Sequence, residues 1–216
     1  MKHFPRSQYG LLALLAACAV AAPVAHAQVC RGTPRRGGVA YENGRMTAGG
    51  TGQGVSAVVT PGSRAIGLNF HTLNSPPGES GYGAALRFSL VFGNKFQICP
   101  GIGLGIDQQS WNANTGTLKT YILSGRGGVG AGYDFTFADD FSVAPFLVAE
   151  YAERVSVYDL KIQSSKSNTT GNTGGRAEAE YGAIVRYKRV YVGYSANHTF
   201  DAGAALAAHW LIGFSF

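Results

Sequence analysis

The sequence predicts an all-β fold, an antiparallel up-and-down transmembrane barrel of ten strands, from three observations. Charged residues make up only 14% of the 216, where about 25% is usual for a soluble domain, while Gly (31), Phe (12) and Tyr (11) are abundant. After Ala27 no apolar run approaches the roughly 20 residues of a membrane helix, and no amphipathic helix stands out. The chain instead reads as segments of about ten residues that alternate in polarity and are broken by turn residues, the pattern of barrel strands.

The N-terminus is read separately. Lys2 and Arg6 precede the apolar run Leu11–Ala22, and Ala25-His26-Ala27 forms a small-x-small cleavage site, so residues 1–27 read as a secretory signal. The run is too short for a helical anchor. Leu15-Ala16-Ala17-Cys18 leaves a lipoprotein alternative open, with Cys18 as the acylated residue. Residues 28–36 then form a Gly/Pro-containing tether, and 37–216 the barrel. Cleavage leaves Cys30 and Cys99, an even number in a chain bound for an oxidising compartment, which predicts a disulfide. No CxxC or Cys/His cluster points to a metal, and no cofactor is expected.

Side chains alternate faces along a strand. In Phe96–Ile106 one face is Phe, Ile, Pro, Ile, Leu, Ile and the other Gln, Cys and three Gly. In Arg176–Tyr187 the charges Arg176, Glu178, Glu180 and Arg186 share a face opposite Ala177, Ala179, Tyr181, Ala183, Val185 and Tyr187. Tyr82–Phe92 sets aromatic and aliphatic residues against Gly83, Arg87 and Ser89. Alternation alone leaves a soluble sandwich or ligand-binding barrel open, since apolar faces there point inward.

Three features select the membrane reading. Arg87, Asp107, Arg126, Glu150, Arg154, Glu178, Glu180 and Arg186 recur in mid-strand, where a small soluble barrel needs an apolar core and a polar lumen accommodates charge. Aromatics gather near strand ends (Tyr82, Phe92, Phe96, Tyr121, Tyr133, Phe135, Phe141, Tyr187), as interfacial girdles do. The last segment sets Trp210, Ile212, Phe214 and Phe216 on one face and stops at an aromatic. This resembles the terminal strand of the compact eight- to ten-stranded outer-membrane barrels of bacteria. The resemblance implies that these four residues are the signal read by the barrel-assembly machinery. It also implies that outer-membrane lipids surround the protein and that both termini are periplasmic.

Strands are expected near 37–43, 52–60, 64–73, 81–92, 95–107, 118–136, 141–158, 175–187, 189–199 and 204–216; loss of the first with a merger elsewhere would give eight. Short turns at Pro61-Gly62-Ser63, Gly93-Asn94-Lys95, Ala138-Asp139-Asp140 and Lys188-Arg189 interleave with longer links near 44–51, 72–80, 108–117 and 159–174, as alternating periplasmic and outside connections require. The link near 200–203 is short. This topology brings Cys30 and Cys99 to the same end, so their bond would pin the tether across the lumen mouth, adding on the order of 4 kcal/mol.

Apparent functional motifs weaken in context. Gly125-Arg126-Gly127-Gly128-Val129-Gly130 matches a dinucleotide pattern but runs on into a strand, with no helix N-terminus to receive a phosphate. The net charge of +6 includes Arg31, Arg35 and Arg36 in the tether, without the interleaved aromatics of a nucleic-acid surface. Asp139-Asp140 falls in a turn, away from the outer rim where barrel proteases carry acidic pairs, and Ser195 and His198 lie on opposite faces. Gln163–Gly174 reads as a polar outside loop. Lumen charges are expected to pair, Arg154 with Glu178 or Glu180 and Arg126 with Glu150, and so to plug a narrow lumen. The expected role is structural or surface interaction through outside loops, without catalysis. A lipid-modifying surface enzyme and a narrow selective channel are the alternatives.

Overall fold

The computed structural model describes residues 37–45, 51–75, 79–113, 116–162, 165–200 and 206–216. The signal, the tether and Cys30 lie outside them. The described residues form eleven strands: β1 (Gly37–Arg45), β2 (Thr51–Val59), β3 (Arg64–Ser75), β4 (Glu79–Leu90), β5 (Phe96–Ala113), β6 (Gly116–Tyr133), β7 (Phe135–Ala138), β8 (Phe141–Ile162), β9 (Ser165–Tyr187), β10 (Val190–Thr199) and β11 (Leu206–Ser215). Both β6 and β7 pair with β8, so β7 continues β6 past a break at Asp134. The barrel therefore has ten staves. Each is antiparallel to its neighbours, and β1 pairs with β11 from Gly38 opposite Ser215 to Arg45 opposite Ala208, closing the ring.

The turns sit where the sequence supplies turn chemistry. Gly62 (φ 64°) and Gly93 (φ 93°) take left-handed backbone in the β2–β3 and β4–β5 connections, and Lys188 (φ 54°) does so in the β9–β10 turn. These turns, the Asp139-Asp140 turn and the β1 and β11 ends share one end of the barrel, here the turn end.

At the other end the strands run further than the polarity pattern predicts. The expected links 108–117 and 159–174 are largely strand, since β5 reaches Ala113, β8 reaches Ile162 and β9 begins at Ser165. The Gln163–Gly174 segment is thus a correction: from Ser165 it is paired backbone rather than loop. The reason is that the β8–β9 ladder persists after the outward face stops being apolar, so pairing continues without an alternation signal. A register shift at Arg154/Val155 faces Gly174 (φ 75°), a bulge that glycine permits.

The exterior is apolar. Phe70, Tyr82, Ile102, Leu104, Leu147 and Tyr194 are exposed outward, and a hydrocarbon surrounding is what makes such a surface favourable. Nearest the turn end the lumen is filled by Ala40, Phe146, Val148, Ile184 and Tyr191 with Leu211 beside them, and by Ala65, Val91, Cys99 and Val58. The polar lumen expected from the mid-strand charges thus gives way at this end to a floor of apolar side chains, among which buried Ser89, Gln97 and Ser142 also lie.

Candidate functional site

Above the floor the inward positions become charged. Glu150 of β8 and Glu178 of β9 are directly opposed in the ladder and only 8% and 6% exposed. Arg87 of β4 reaches across the lumen to Glu150 (3.8 Å), and Arg126 of β6 approaches the same oxygen (3.9 Å). Glu178 Oε1 accepts from Arg154 Nη2 (3.2 Å) and Arg176 Nε (2.7 Å). Two arginines per carboxylate offset the repulsion that opposed like charges would otherwise bring. Gly103, between Arg87 and Arg126 in the ladder, has no Cβ because that atom would press on both arginine stems.

A second cluster follows. Ser195 Oγ donates to Glu180 Oε1 (2.9 Å) and lies 2.8 Å from His209 Nε2, which is itself 3.4 Å from Glu180. The register causes this, since Ser195 of β10 directly opposes His209 of β11. Asp107 meets His71 Nε2 at 2.7 Å, and the opposite ring nitrogen faces Asn69 Oδ1 at 3.0 Å. Asn69 Nδ2 in turn donates to Glu42 (3.1 Å). Gly83 makes room for the His71–Asp107 pair, because a Cβ there would meet both groups.

Between charged residues and the floor lies a partly open cavity of about 320 Å³, lined by Glu42, Arg87, Arg126, Glu180 and His209 above and by Val58, Phe146, Ile184 and Leu211 below. Arg186 lies on the inward face near the turn end, opposite Ser142 and Tyr191. Cys99 is 3% exposed at that end beside the fully buried Gln97, and it is disulfide-bonded. Trp210, Ile212, Phe214 and Phe216 point outward.

Ser195, His209 and Glu180 are chemically a nucleophile, a base and an acid, but the geometry is not that of an acyl-transfer triad. His209 presents the same nitrogen to Ser195 and to Glu180, whereas a relay needs the carboxylate on the other one. His198 stacks edge-on against Phe200 (4.9 Å) and does not meet Ser195. The glycine motif at 125–130 lies within β6, and Asp139-Asp140 in the turn. Among the described residues no group of three or more His, Cys, Asp or Glu is placed to hold a metal.

The sequence reading missed the Ser195–His209–Glu180 cluster, although a hairpin centred in 200–203 would have opposed Ser195 and His209. It also missed the reach of Arg87 across the lumen.

Neither a protein-family model nor a curated protein matches the sequence. Among solved structures, the chain is similar to the N-terminal β-barrel domain of Pseudomonas aeruginosa OprF (12% identity, 83% of this chain and 96% of that one, TM-score 0.38). It is also similar to the translocator domain of the autotransporter NalP from Neisseria meningitidis (8% identity, 83% and 87%, TM-score 0.41) and to the KdgM porin (11% identity, 83% and 99%, TM-score 0.37). A closed, ten-staved antiparallel barrel with an apolar exterior and a charged lumen has the fold of bacterial outer-membrane proteins.

Proposed function

We propose that this protein is an outer-membrane barrel with a structural or surface-interaction role, closed to diffusion by its own lumen charges and working through the end opposite the turns. The observation that carries this reading is the tier in which Glu150 and Glu178 are each met by two arginines, standing over an apolar floor. Charges spent on one another leave little field for guiding ions, and the bulky side chains of the floor, Phe146, Val148, Ile184, Tyr191 and Leu211, narrow the lumen below them. In this reading the chain is exported by its N-terminal signal and folded by the barrel-assembly machinery through Trp210, Ile212, Phe214 and Phe216. Both termini are periplasmic, and Cys30 is the partner of Cys99.

Planar-bilayer recording tests it. The purified barrel in potassium chloride is expected to show no steady conductance, while E150Q and E178Q variants show noisy openings as the released arginines move. A stable, ion-selective conductance from the unaltered protein would instead make it a channel.

A further inference from the structure

The outward apolar band is not equally tall around the barrel. On β4 with its turn, β5, β8 and β9 the outward residues stay apolar over Tyr82–Phe92, Phe96–Ile106, Phe141–Tyr151 and Ala177–Tyr187, eleven residues each. On β1, β2 and β3 they are apolar only over Gly37–Tyr41, Val55–Val59 and Ile66–Phe70, five residues each. Above these come Asn43, Gln53 and Thr72. The three are ladder neighbours, Asn43 opposing Gln53 and Gln53 opposing Thr72, and Thr72 Oγ donates to the Gln53 carbonyl (3.4 Å). Thr51 and Asn74, opposed one step further, continue the polar surface.

At about 3.3 Å per residue and a tilt near 40°, eleven residues cover about 28 Å along the barrel axis and five about 13 Å. Only the first matches an apolar band of about 25 Å. Leu104 and Ile106 of β5, at comparable distances from the turn end, are apolar and 68% and 52% exposed. Just beneath the polar row, Tyr41 packs edge-on against Trp210 (5.9 Å) and its hydroxyl lies 3.5 Å from Asn43 Nδ2. That is the Tyr/Trp arrangement found where hydrocarbon gives way to headgroups.

We propose that the β1–β3 side sits in a locally thinned bilayer, with lipid headgroups and water descending to Asn43, Gln53 and Thr72. The inference rests on the outer-membrane reading and adds a lipid-shaping surface to it. Facing acyl chains, the Asn43 and Gln53 amides would have most of their hydrogen-bonding capacity unmet even with the Tyr41 and Thr72 contacts made, whereas a bilayer adapts to a short span by thinning. Lipid suits this face because β2, its middle strand, presents no charge outward, and Val39, Val55 and Phe70 below the polar row remain exposed to acyl chains.

Nitroxide labels at Gln53→Cys, Thr72→Cys, Leu104→Cys and Ile106→Cys, in disulfide-bonded protein reconstituted into dioleoylphosphatidylcholine vesicles, test it. Only variants that retain a heat-dependent gel shift are measured. Labels at 53 and 72 are expected to collide several-fold more with a water-soluble nickel chelate than labels at 104 and 106, which favour oxygen. Oxygen-dominated collisions at all four sites would overturn the thinning. So would low collision with both reagents at 53 and 72 accompanied by spin–spin broadening, which would place a second copy on that face. Nickel-dominated collisions at 104 and 106 would overturn the outer-membrane reading itself.

Discussion

Glu150 and Glu178 stand opposite one another on β8 and β9, and two arginines meet each of them in that confined space. The acids sit on neighbouring strands, while Arg87 comes from β4, across the lumen. The tier thus ties together staves that do not touch in the ladder.

Replacing Glu178 by Gln removes the carboxylate that Arg154 and Arg176 share. Because Glu178 is 6% exposed but its arginines are 28% and 31% exposed, the expected loss is about 2 kcal/mol, between the values for exposed and buried pairs. A lowered urea midpoint in detergent micelles reports it, and an unchanged midpoint would mean that solvent already screens the cluster.

Gly83→Ala inserts a methyl group where Asp107 and His71 meet. Separation of that pair and a loss of about 1–3 kcal/mol are expected, the range for overpacking. The His71 ring resonances and the unfolding midpoint should change together. A shift in neither would show that the pair moves aside freely.

Cys99 is disulfide-bonded, and its proposed partner is Cys30. Peptide mass mapping of the unreduced mature protein should find those two joined. Cys99→Ser is then expected to cost on the order of 4 kcal/mol, the loop-closure contribution for a ring of this length, seen as a lower temperature for the heat-induced gel shift. Recovery of Cys30 as a free thiol would assign the bond elsewhere.

Phe216 is 49% exposed on the outward face of Phe214, Ile212 and Trp210. Phe216→Ser should slow insertion in cells, reducing the folded outer-membrane fraction several-fold, while the purified variant refolds into detergent almost normally. Equal losses in both settings would show that the residue acts on stability and not on recognition by the assembly machinery.

The staves were legible because most of them have a half in which the outward face is apolar and the inward face largely polar or small. Where β8 and β9 rise beyond Glu153 and Gly175 the outward face ceases to be uniformly apolar, so the paired backbone over 165–174 left no trace in the sequence. Arg126 with Glu150 and Arg154 with Glu178 could be anticipated from shared faces on adjoining strands. Arg87 with Glu150 could not, because β4 and β8 are joined only through the lumen, and no local pattern encodes a distance across a barrel. The floor of Phe146, Ile184 and Leu211 was hidden for a related reason: an inward apolar residue among outward ones merely blurs the alternation.

The seam between β1 and β11 sets the order in which this molecule can come into being. Gly38 meets Ser215, so the ring cannot close before β11 has been synthesised. Until then any partial sheet presents two raw edges whose amide and carbonyl groups lipid cannot satisfy. A chain interrupted before Leu206 has no half-barrel in which to wait. Insertion and closure must therefore run together as one late event. A cell making this protein has to keep the finished but open chain away from its own kind until its first and last strands meet.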